Sequence, residues 1–95
     1  MSKQKFLGEF EQMILLAMMR LGENAYGSSI RQLLVETIER DVTVGALYTT
    51  LERLETKGLV SSRLGEATAE RGGRAKRYFS VSAEGRTQLA KTKQA

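Results

Sequence analysis

The chain contains no cysteine, no histidine and no proline. Without cysteine, neither a disulfide framework nor a thiolate metal site is available. Without histidine, the commonest general base and the commonest metal ligand are both missing. Serine–histidine and cysteine–histidine nucleophile systems are therefore excluded. The 11 acidic residues lie scattered among bases with no evident pairing, so the sequence speaks against an enzyme and gives no support for a metal or a cofactor. Long apolar runs are also lacking. The longest, Met13 to Met19, falls far short of the roughly 18 residues that span a bilayer. The N-terminal Met-Ser-Lys-Gln-Lys is basic, but no small-residue cleavage site follows the apolar run, so no signal peptide is read. No membrane association and a cytoplasmic location are expected. The absence of proline is mildly unusual for a chain in which a long polar loop is expected.

What is present fits one domain over residues 1–95, near the lower end of the size range that folds on its own core. The hydrophobic fraction of 41% is ordinary for a globular protein. A net charge of +4 favours an anionic partner, although charge of this size is by itself a weak argument.

The most informative stretch is Thr43 to Phe79. It reads as a helix with an apolar stripe, a glycine stop, a short strand, a basic loop and a return strand. Leu47, Leu51 and Leu54 recur at i, i+4 and i+7 and give the helix one core-facing stripe. Thr43 is suited to its N-cap, and Gly58 followed by Leu59 to its C-terminal stop. The strands are expected over 59–64 and 76–81, with the loop at 65–75. Upstream, the spacing predicts a first helix from about Gly8 to Leu21, carrying Phe10, Ile14, Ala17 and Leu21 and widened by Met13 and Met18. Gly22 stands where a left-handed cap belongs. A second helix is predicted over 26–37, with Ile30, Leu33 and Leu34 inward. The piece 39–42 is too short to classify. Ser82 caps a final helix, about 82–92. The fold class is mainly α with a small β-hairpin wing, a winged helix-turn-helix.

Turning the leucine stripe inward pushes Thr43, Tyr48, Thr49, Glu52 and Arg53 outward or to its edges. A small, polar, stackable first turn suits a major groove, where recognition helices use their N-terminal residues on base edges. The same pattern, taken alone, also fits a Tyr48 that merely packs at the core boundary. In the loop, Arg71, Arg74, Lys76 and Arg77 are four cations with no acid among them. Their mutual repulsion is relieved if the tip approaches phosphates; the bland alternative is a solvated loop with incidental charge. Tyr78 and Phe79 point to opposite faces of a strand and are expected to be mainly structural. The broad stripe of the first helix is wider than one small core requires. An unusually buried helix and a surface covered by a second subunit explain it equally well.

Four stretches together resemble the PadR family of bacterial transcriptional regulators. Ala25-Tyr-Gly-x-x-Ile30 looks like the family's second-helix opening, and Val44-Gly-Ala-Leu-Tyr48 like its recognition-helix signature. Leu51-x-Arg-Leu-Glu-x-x-Gly-Leu-Val60 is similar to the passage from that helix into the wing. Gly73-Arg-Ala-Lys-Arg-Tyr-Phe79, with Val81-Ser-x-x-Gly85, is similar to the second wing strand and the next helix. The likeness covers roughly residues 8 to 90. It implies a winged-helix repressor that binds an inverted repeat in double-stranded DNA as a homodimer. Tyr48 and its neighbours Thr43, Val44, Gly45, Thr49 and Arg53 would then sit in the major groove. Tyr26 and Gly27 would lie near the DNA backbone, and Arg71, Arg74, Lys76 and Arg77 would hold phosphates or the minor groove. Where the family usually has proline, this chain has Ala75. Only about 14 residues follow Val81, where the family normally continues into a larger helical dimerisation region. The dimer contact is therefore expected from the first helix, through Phe6, Phe10, Met13 and Ile14. A small-molecule effector fits the resemblance but has no support in the residues. The competing reading is a winged-helix protein-interaction module without sequence-specific DNA binding.

Overall fold

In a computed structural model, residues 8–38, 41–65 and 76–94 are described. The elements run α1 (Glu9–Leu21), a short 3-10 turn (Gly22–Asn24), α2 (Gly27–Ile38), α3 (Val44–Thr56), β1 (Val60–Leu64), β2 (Arg77–Val81) and α4 (Ala83–Gln94). Helix and strand bounds agree with the sequence-based expectations to within about two residues. The 3-10 turn was not anticipated.

Each helix end has a local cause. At the start of α1, the Gly8 amide donates to the Glu11 carboxylate at 3.0 Å, filling one of the free donors of the first turn. The same carboxylate pairs with Lys57 at 3.1 Å, strapping the start of α1 to the end of α3. Gly22 takes a φ of 61° and a ψ of -125°, so glycine ends the helix where expected, but with an extended ψ in place of the left-handed helical turn, because the chain passes directly into the 3-10 turn. Ser29 Oγ accepts from the Tyr26 amide at 2.9 Å and closes the entry to α2. Thr43 Oγ1 accepts from the Ala46 amide at 3.1 Å, the predicted N-cap of α3. That helix ends in a Schellman motif, with the Leu59 amide on the Leu54 carbonyl and the Gly58 amide on the Glu55 carbonyl. Gly58 there has a φ of 80°.

The hairpin pairs β1 and β2 antiparallel, from Val60 opposite Val81 to Leu64 opposite Arg77. A further strip lies beside β2: the Phe79 amide donates to the Ala25 carbonyl at 2.8 Å, and Tyr26 bridges Tyr78. This strip joins the start of α2 to the wing, and two residues are too few to show any strand periodicity in the sequence.

The core collects Ile14, Leu15 and Met18 from α1, Ile30 and Leu34 from α2, and Leu47, Leu51 and Leu54 from α3. Phe79, Val81 and Leu89 close it from the hairpin and α4. All three leucines of the α3 stripe are buried, as the spacing predicted. One expectation needs correcting. Ile14 is fully enclosed by the chain's own core and has no surface left to offer a second subunit. Phe10 and Met13 are half-buried against that core, and Phe6 lies outside the described residues.

Candidate nucleic-acid interface

The first turns of α3 face outward. Thr43, Val44, Gly45, Thr49 and Arg53 are all exposed, because the core stripe claims Leu47, Leu51 and Leu54 on the opposite side. Val44 stands out, with 56% of its surface exposed. Tyr48 is divided between the two roles left open by the sequence. It keeps 40% of its surface exposed. Its ring meets Phe79 of β2 at a centroid distance of 6.4 Å, and its hydroxyl lies over Gly27 of α2. A Cβ at residue 27 would overlap the hydroxyl oxygen and come within 2.6 Å of Cζ. Glycine at position 27 lets the Tyr48 ring pack where it does, and Tyr48 joins α2, α3 and β2 while presenting one edge.

The base of the wing is a row of two rings with a cation at each end. Lys76 Nζ sits 4.1 Å from the centre of the Tyr26 ring. Tyr26 meets Tyr78 edge to face at 5.5 Å. The Arg63 guanidinium covers the Tyr78 ring at 4.9 Å. Cations over aromatic faces are attracted by the ring quadrupole, so these contacts hold the wing at a set angle to the start of α2. Gly65 leaves room for the Tyr78 ring; a Cβ there would lie 2.5 Å from Tyr78 Cε1. Arg77 is exposed and donates to Ser62 Oγ at 2.9 Å. Ser62 in turn donates to the Glu55 carboxylate at 2.8 Å. Arg71 and Arg74 lie outside the described residues.

These contacts link the wing to α3: Lys76 rests on Tyr26, Tyr26 precedes Gly27, and Gly27, itself buried, lies under the Tyr48 hydroxyl at the first turns of α3. Beside them a cleft of about 560 Å³ separates α2 from α3, lined by Ser28, Arg31, Gln32, Val44 and Tyr48 among others. Arg31 Nε donates to the Val42 carbonyl and steadies the chain entering α3. Ser28, Gln32 and Arg63 were not singled out from the sequence. The first two are spaced i, i+4, on the side of α2 away from Ile30 and Leu34, and a helical projection would have found them. Arg63 has no comparable signal, because its ring partner lies across the hairpin. Among the described residues, no cluster of carboxylate, histidine or cysteine side chains is arranged to hold a metal, and no helix is long and apolar enough to cross a membrane.

The profile of the transcriptional regulator PadR-like family matches residues 15–91. The chain belongs to this family. Among solved structures, a PadR-like transcription factor from Bacteroides fragilis is similar with a TM-score of 0.73 and 26% identity, over 90% of this chain and 77% of that one. A PadR-like regulator from Bacillus cereus is similar with a TM-score of 0.74 and 25% identity, over 90% and 78%. PadR of Bacillus subtilis, solved in complex with operator DNA, shares the fold with a TM-score of 0.72 at 19% identity, over 86% of this chain and 46% of that one. No curated protein matches the chain by sequence. The helices and the antiparallel hairpin are those of the PadR-like winged helix, and the family is one of transcriptional regulators, not of enzymes.

Proposed function

We propose that this PadR-like chain binds an inverted-repeat operator as a homodimer and represses transcription by occluding a promoter. The observation that carries the reading is the placement of the exposed Lys76, held on the Tyr26 ring, on the same assembly as the exposed first turns of α3, with the buried Gly27 packed under Tyr48 between them. A helix whose outer face is small, followed by a basic hairpin, is built to enter a major groove while the hairpin meets phosphates. Thr43, Val44, Gly45, Tyr48, Thr49 and Arg53 would face the groove. Tyr26 and Gly27 would approach the backbone, and Arg71, Arg74, Lys76 and Arg77 would hold phosphates from the wing. The Bacillus subtilis relative of the same fold was solved on operator DNA, which supports duplex DNA as the partner. Acting on the chromosome places the protein in the cytoplasm.

A homodimer would set two α3 helices about 34 Å apart, in successive major grooves. The surface for it is the outer side of α1 beside α2, where Met13, Leu16 and Leu33 line a shallow apolar groove. Leu16 there is 42% exposed. Phe10 and Met13 keep part of their surface and extend this strip, and Phe6 is expected to join it. Among the described residues, none points to a small-molecule effector.

The test is selection from a pool of randomised DNA duplexes, followed by sequencing of what is retained. Enrichment of an inverted repeat, with half-sites about one helical turn apart, is expected. Retention without enrichment would remove the sequence-specific reading, and no retention would turn the assignment to a protein-interaction module.

A further inference from the structure

The groove-facing edge of α3 is unusual in its chemistry. From Val44 to Thr50 the helix reads Val-Gly-Ala-Leu-Tyr-Thr-Thr. These first two turns contain no Asn, Gln, Arg or Lys, the side chains that make bidentate hydrogen bonds to guanine or adenine edges; the first such residue of α3 is Arg53, one turn further on. What it presents is an isopropyl group, 56% exposed at Val44, beside the exposed Gly45 and Ala46.

Gly45 adds a second, independent observation. Its backbone φ is not among the positive ones, and a Cβ built on it would meet nothing within 4 Å. Glycine is a poorer helix former than alanine, and here neither backbone conformation nor packing within the chain requires it. Gly27, Gly65 and Gly85 each have a neighbour that a Cβ would strike. At Gly45 the missing side chain clears space outside the molecule.

We propose that Val44 is a specificity-determining residue that reads the 5-methyl group of a thymine in each half-site, and that Gly45 provides the clearance for that approach. The inference rests on the reading of α3 as the helix that enters the major groove. Thymine is the base that offers an apolar group on the major-groove edge, and contact with it is how an aliphatic side chain distinguishes base pairs. Burying a methyl-sized group is worth about fourfold in affinity.

The experiment uses the duplex recovered by selection and the full chain. Each thymine is replaced in turn by deoxyuridine, which removes the methyl and leaves every hydrogen-bonding group in place. Wild-type protein is expected to bind about fourfold more weakly when one particular thymine per half-site is replaced. Val44→Ala is expected to bind the parent duplex more weakly and to be indifferent to that replacement. Gly45→Ala is expected to melt at a higher temperature yet bind less tightly, a pairing that general misfolding would not produce. Wild-type binding that ignores deoxyuridine at every position overturns the methyl contact while leaving the DNA-binding reading intact. Full sensitivity retained in Val44→Ala overturns the assignment to Val44, and unchanged affinity in Gly45→Ala overturns the clearance role. Failure of the wild type to bind any duplex overturns the DNA-binding reading itself.

Discussion

Gly27 and Tyr48 compete for one volume, so their energetics are tied. Replacing Gly27 by alanine drives a Cβ into the Tyr48 hydroxyl, and overpacking of this kind costs about 1–3 kcal/mol. In a Tyr48→Ala background the same methyl enters vacated space. Urea melts of the two single variants and the double variant are expected to show a coupling of at least about 1 kcal/mol; additive losses would mean that Tyr48 swings away freely. The sequence placed Tyr48 at the edge of the leucine stripe and left its role open. It could not show the hydroxyl over Gly27, because that contact is made by the crossing of α2 over α3, to which no local spacing is sensitive. Lys76 is a similar case. Its membership in a cationic run was legible, whereas its rest on the Tyr26 ring depends on how the hairpin packs.

Among elements, α3 and α4 were the most legible, since their caps lie within a few residues of the helices they start. Thr43, Gly58 and Ser82 all act as their residue types and positions suggested. Ser82 Oγ accepts from the Gly85 amide at 3.0 Å and donates to the Gly58 carbonyl at 2.8 Å. Ser82→Ala should therefore cost about 1 kcal/mol or somewhat more in thermal or urea unfolding. Gly85→Ala should cost more, about 3 kcal/mol. Its Cβ would collide with the Leu59 carbonyl and stand 2.8 Å from Val81 Cγ1, and a main-chain carbonyl held at the end of a Schellman motif has little room to yield. Equal losses in the two variants would contradict this ordering. The strip at Ala25 and Tyr26 was invisible beforehand: it is defined only by its partner strand.

For the whole molecule the governing quantity is charge presented to DNA. Binding is expected to weaken steeply with salt as counterions are released from the duplex. Lys76→Ala should lower the slope of log affinity against log salt by about 1 and weaken all sequences alike; an unchanged slope would mean that the ammonium stays on the Tyr26 ring and meets no phosphate. Composition and charge pointed to an anionic partner, and the α1 stripe to a surplus of apolar surface. The structure divided that stripe, sending Ile14 inward and leaving Leu16 and Met19 outside. Side-chain orientation, which spacing alone blurs when a helix is apolar on most sides, made the difference. One further property follows from how α4 is rooted. Only Ser82 separates it from β2, and its first turn is seated on main-chain atoms of the α3–β1 corner. No slack joint intervenes, so the start of α4 and the far end of α3 are held at one angle to each other by main-chain contacts.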